Sequence, residues 1–124
     1  MATTKWANDA VMDAALDEVA TSIKLRVCSG SSSPADRAAA ISATLAEVTI
    51  DSADFSKANG DASGRKITIA QQANLDIDAS GDATCVTLDD GVVLQYVTTC
   101  TTQALTEGGT VTVPAWDIEI ADPS

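Results

Sequence analysis

The sequence predicts an α+β fold, mainly β: an antiparallel β-sandwich or barrel-like sheet with an N-terminal amphipathic helix. Three observations predict it. Over residues 8–23, apolar side chains recur every three or four positions, the period of a helix with one buried face. From Arg65 onward they alternate at spacing two, as in strands with one wet face. Asp90-Gly91 and Gly108-Gly109 punctuate those runs, and glycine supplies the positive φ of tight hairpins without a Cβ clash.

The helix comes first. Asn8 or Asp9 can cap it, since a short side-chain oxygen accepts from the free amides of the first turn. Val11, Met12, Ala15, Leu16, Val19 and Ile23 share one face, while Asp9, Asp13, Asp17 and Glu18 take the rest. Trp6, just ahead of the cap, either packs on that face or inserts into a neighbouring subunit. It is a candidate interface residue, because an exposed tryptophan is an effective anchor.

Residues 24–28 alternate as a short strand, and a Ser/Gly/Pro loop follows over 29–34. Alanine-rich 36–44 predicts a short helix starting after Pro34. Residues 45–50 read either as its continuation or as a strand, with β-branched Val48, Thr49 and Ile50 favouring the strand. Polar 52–56 reads as a turn anchored by Phe55, and 59–64 as a second loop. Strands are then expected over 65–70 and 74–79. A pair follows around Asp89-Asp90-Gly91, marked by Val86 and Leu88 and by Val92, Leu94 and Tyr96. Val111 and Val113, then Trp116, Ile118 and Ile120, mark another. The total is six to eight strands, with the tail Asp122-Pro123-Ser124 ending on the surface. The whole is one domain, 1–124, divided into the helix at 8–23 and a β-rich body at 24–121.

Composition bounds the function. Hydrophobic content of 45% argues for a packed core. Aromatics are only 3%, so small and β-branched residues fill that core. Each buries little area at roughly 25 cal/mol per Å², so association is expected to add stability. Seven basic against 18 acidic residues give a net charge of -11, which disfavours DNA, RNA and anionic membranes and suits a more basic protein partner. No apolar run is long enough for a transmembrane helix, and the N-terminal residues lack a signal-peptide pattern, which predicts synthesis in the cytoplasm. Cys28, Cys85 and Cys100 read as reduced thiols. Cys85 and Cys100 fall on neighbouring expected strands, where a cross-strand pair is conceivable.

No chemistry-bearing constellation emerges. Asp76, Asp78 and Asp82 superficially resemble a calcium loop, with Gly81 at position six. Position twelve is Thr87, so the bidentate glutamate is missing, and a solvated strand face is the better reading. Asp89-Asp90 reads as a turn. Without histidine, a Ser-His or Cys-His pair is impossible. Neither a P-loop nor a Gly-x-Gly-x-x-Gly pattern is present. Arg65 and Lys66 are candidate interface residues at the start of a strand. No catalytic residue, cofactor or metal is expected.

The order of elements is informative as a whole. The segment Asn-Asp-Ala-Val-Met-Asp-Ala-Ala-Leu (8–16) leads into a short strand. Ala-Ser-Gly-Asp-Ala-Thr-Cys-Val-Thr-Leu-Asp-Asp (79–90) comes later. A closing stretch over 93–120 contains Ala-Leu-Thr-Glu-Gly-Gly and Trp-Asp-Ile-Glu-Ile. This arrangement resembles small virion structural proteins of tailed bacteriophages, over 79–121 above all and more loosely over 8–28. The resemblance implies a non-enzymatic capsid decoration or cement protein that stabilises the head. Its partners would be the major capsid protein or other virion proteins, with a homo-oligomer expected and no nucleic acid or membrane partner. The alternatives are a tail, neck or fibre component, or a module binding the host surface. Candidate contacts are Trp6, the loop at 29–34, and the loop at 59–66 that contains Arg65 and Lys66.

Overall fold

The computed structural model describes residues 8–30, 34–61 and 63–120. Trp6, the centre of the 29–34 loop, Ala62 and the tail at 121–124 lie outside the described residues. Helix α1 (Asp9–Val19) is followed by strand β1 (Lys24–Ser29), helix α2 (Arg37–Ser42), strand β2 (Thr44–Thr49) and a 3-10 turn (Ser52–Asp54). Seven further strands complete the chain: β3 (Phe55–Asn59), β4 (Arg65–Ile69), β5 (Gln72–Asp76), β6 (Gly81–Asp89), β7 (Leu94–Leu105), β8 (Thr110–Val113) and β9 (Trp116–Ile120). The fold is mainly β with an N-terminal helix.

The strands form three antiparallel sheets, ordered β2-β1-β6-β7, β3-β4-β9 and β5-β8. They do not close into a barrel. One core joins them: Leu25, Val27, Val86 and Leu88 from the large sheet meet Ile67, Ile69 and Ile118 from the second and Leu75 and Val113 from the third. Leu16 of α1 belongs to the same core, and α1 packs against β4 and touches β7, tying two sheets together.

Local chemistry sets the element ends. The Asn8 side chain accepts from the Ala10 amide at 2.8 Å, so the helix starts where its cap allows. It stops at Val19, four residues short of the sequence expectation. The Ile23 N–H is drawn instead to the Asp89 carbonyl at 2.8 Å, which starts the β1–β6 pairing. Of the expected apolar face, Met12 and Leu16 are buried, whereas Val11 and Ile23 are exposed. Asp36 caps α2 through the Ala39 amide, also at 2.8 Å.

Residues 44–49 are a strand and not a continuation of that helix, because they pair in register with β1. Phe55 opens a strand in place of the expected polar turn, with Ser56, Lys57 and Ala58 held by β4. The hairpin after β6 also departs from expectation. Val92 sits in the turn, 79% exposed, and β7 begins only at Leu94. The described residues hold nine strands where six to eight were expected.

Candidate protein-interaction site

The cations decide what the surface can offer. Each of the six described Lys and Arg side chains forms an ion pair within the chain. Lys24 lies 3.7 Å from Glu47, Lys57 2.5 Å from Asp17, and Arg65 2.9 Å from Asp13. Lys66 lies 2.8 Å from Asp61 and 3.5 Å from Asp117. Arg26 pairs with Asp89 and Glu47, and Arg37 reaches Asp89 at 3.2 Å. Arg65 and Lys66, singled out as contact residues, are therefore held on their own scaffold. Arg65 also donates to Asn59 at 2.8 Å. Both groups are held further toward the charged form by a hydrogen-bonding carboxylate, Asp13 for Arg65 and Asp61 for Lys66.

The acids are not matched in the same way. Every Lys and Arg of the chain lies at or before Lys66, while acidic residues continue to the end. Asp76, Asp78, Asp82 and Glu107 are exposed and lie on, or directly beside, the β5–β6 and β7–β8 connections. The Ile77 N–H donates to the Gly109 carbonyl at 3.0 Å, and Gly108 donates back to Ile77 at 3.1 Å. The Glu107 N–H donates to the Ser80 hydroxyl at 2.9 Å. These bonds clamp the β5–β6 connection, with Asp78, onto the β7–β8 turn, with Glu107; Asp76 and Asp82 flank that connection at the end of β5 and the start of β6. Among the described residues, no group of three or more acids or cysteines is placed to hold a metal ion. The feature is a one-signed field, not a coordination site.

A neutral surface lies beside it. From Gly91 to Thr106 there is no charged residue, and β7 occupies most of that stretch. β7 is an edge strand of the large sheet. Unpaired edges invite association, and the other edges carry devices that prevent it. β2 is covered by its own chain, through the Ala46–Ile77 bridge and the Asp78 N–H on the Leu45 carbonyl at 2.7 Å. β3 carries Lys57, and β9 carries Asp117 and Glu119. β5 is broken by Asn74 in the left-handed region at φ 57°, and β8 is short and runs into Pro114. β7 has only irregular pairing: its register with β6 slips between Leu94 and Tyr96 and again, as a bulge, between Thr99 and Gln103.

That bulge opens onto a groove. Tyr96 packs against Trp116 with ring centroids 6.0 Å apart, closing the seam between β7 and β9 at one point. Beyond it, a cavity of about 230 Å³ separates Thr98, Thr99 and Cys100 from Val113, Pro114 and Trp116. A smaller one of about 110 Å³ continues along Thr101 and Gln103, floored by Val27 and Ala83. The Trp116 indole N–H is buried there with no hydrogen-bond acceptor.

The outer face of the large sheet holds what sequence reasoning missed. Asp89, expected in a turn, is fully buried at the end of β6 and joins Arg26 with Arg37. Cys28 and Cys85 face each other across β1 and β6. The close thiols are thus Cys28 and Cys85; Cys85 pairs in register with Thr99 instead of Cys100, and all three cysteines are free. Burial pushes the Cys28 thiol up to about 11 and raises Cys85 as well. High thiol pKa values make poor nucleophiles, so these residues are packing. No protein-family model, curated protein or solved structure matches the chain.

Proposed function

We propose that this chain is a non-enzymatic structural protein of a tailed-phage particle, a decoration or cement protein bound to the outside of the head. One observation carries the reading. The described cations are all engaged in internal ion pairs, whereas exposed Asp76, Asp78, Asp82 and Glu107, on or beside the joined β5–β6 and β7–β8 connections, have no cationic partner among the described residues. A one-signed end on a rigid β-scaffold steers the protein to a basic patch on a larger surface. If the resemblance of 79–121 to virion proteins holds, that surface is the major capsid protein. Binding that favours the assembled shell over its parts raises particle stability by mass action.

The test is add-back. Purified protein is mixed with heads lacking it, sedimented, and challenged by heat. Saturable co-sedimentation with a raised disruption temperature supports the cement function. Binding to tails or host cells and not to heads assigns the protein to the fibre or host-adhesion alternatives.

A further inference from the structure

We infer that the free edge of β7 is taken up by a second copy of this chain, strand against antiparallel strand across a two-fold axis. The inference concerns the uncharged edge beside the acidic residues, where Asp82 pairs with Ala104, and does not depend on a phage head.

Three observations select this edge and this occupant. First, β7 is the longest strand, and its residues from Thr99 to Ala104 are exposed on both faces. Strand residues lose one face to the core and keep one in water, so a run wet on both sides has an uncovered layer as well as an unpaired backbone.

Second, two chains of charge -11 repel each other wherever acids approach. The stretch from Gly91 to Thr106 carries no charge of its own, so two copies meeting there avoid direct like-charge pairs between their strands, with Asp117 on the adjoining groove and Asp82 on β6 the flanking acids. A basic partner would find no counter-charge on this strand, which argues for a like partner over a cationic one.

Third, the side chains suit self-pairing. Val97, Thr98, Thr99, Thr101 and Thr102 are β-branched, and Thr–Thr neighbours across strands hydrogen-bond. Residues 96–99, between two register shifts, keep regular pairing with β6, so the opposite edge of that run is a straight template. An antiparallel strand paired with its own copy presents the same residues from both sides, as a two-fold interface requires. The guards on the other edges leave this one as the place of contact.

The experiment is sedimentation equilibrium of the full chain over a concentration series, with amide hydrogen exchange on β7. A dimer is expected, with β7 amides slowing as concentration rises. Thr99→Lys with Thr101→Lys places like charges across the new seam and should weaken the dimer roughly tenfold or more. Thr110→Lys, on β8, makes the same kind of charge change off the edge and should leave the dimer intact. A monomer at every concentration would overturn the proposal. So would an oligomer that survives the double substitution, or one that forms with no added protection of β7. Because the exchange readout uses the unaltered chain, a misfolded lysine variant does not remove the test.

Discussion

The guanidinium of Arg26 and the carboxylate of Asp89 form a buried ion pair, 63 residues apart in sequence, on neighbouring strands β1 and β6. Arg26 pairs in register with Thr87, so Asp89 is its diagonal neighbour on the same face. Arg37 reaches the same carboxylate from α2 at 3.2 Å, and the Gly91 N–H donates to it at 3.0 Å. One side chain thus fastens two strands, a helix and the start of a hairpin.

Removing that carboxylate should be costly. Asp89→Ala leaves Arg26, only 5% exposed, with Glu47 at 3.3 Å as its remaining counter-charge. Breaking a buried pair from one side costs about 3–5 kcal/mol, whereas replacing both partners by apolar residues of similar volume is often neutral. The urea midpoint should fall sharply for Asp89→Ala and recover in large part for Arg26→Met with Asp89→Leu. A single variant as stable as the parent would show that the pair holds nothing together.

Core truncation should separate interior from turn. Leu88 and Ile69 are fully buried, so changing either to Ala should cost about 2–5 kcal/mol through lost burial and a residual cavity. Val92→Ala, in the exposed turn, should change stability by under about 0.5 kcal/mol. Thermal melts of the three variants measure the contrast.

Thiol chemistry gives a pH signature. Cys28 is pushed up to about 11 by burial, from an ordinary value of 9.0. The fold keeps this thiol neutral while the unfolded chain ionises it first. Its contribution to stability is therefore complete below pH 9 and is lost as pH rises from 9 towards 11. Cys28→Ala should flatten that decline. Native alkylation near pH 8 should modify Cys100 first, since it is exposed and the other two are buried. Mass spectrometry of the labelled chain reads the order directly.

The β6–β7 turn should hold in mild acid. The Asp90 carboxylate accepts the amides of Val93 at 2.8 Å and Val92 at 2.9 Å, which lowers its pKa below the ordinary 3.8. A depressed carboxylate contributes stability above its unfolded pKa and loses it as pH falls through the folded one. Protection of the Val92 and Val93 amides should persist as pH falls to about the ordinary 3.8 and fade only in stronger acid. Asp90→Ala should remove it at every pH.

Much of the fold was legible because it rests on local periodicity. Met12 and Leu16 face the core as their spacing implies, and the alternations at 65–70 and 116–120 became β4 and β9, paired with each other. What escaped was decided across the chain. β3 carries no apolar alternation and exists because β4 templates it. The threonines of β7 carry little hydrophobic contrast, so its length was hidden although its first residues were not. Asp89 beside Asp90 and Gly91 has the composition of a turn, and only Arg26 and Arg37, brought in by β1 and α2, make it interior. The acidic residues of the candidate site were plain in the sequence. The joining of the two connections that carry or adjoin them was not, because it depends on the bonds between Ile77 and residues 108 and 109.

The most direct test of the account compares add-back by the parent chain with a variant carrying Asp76→Asn, Asp78→Asn, Asp82→Asn and Glu107→Gln. All four positions are exposed, so the variant should fold normally. Co-sedimentation with heads is expected for the parent, strongest at low salt, and should be much reduced for the variant. Equal binding by both, or no binding to heads by the parent, would contradict a decoration protein held by its acidic end.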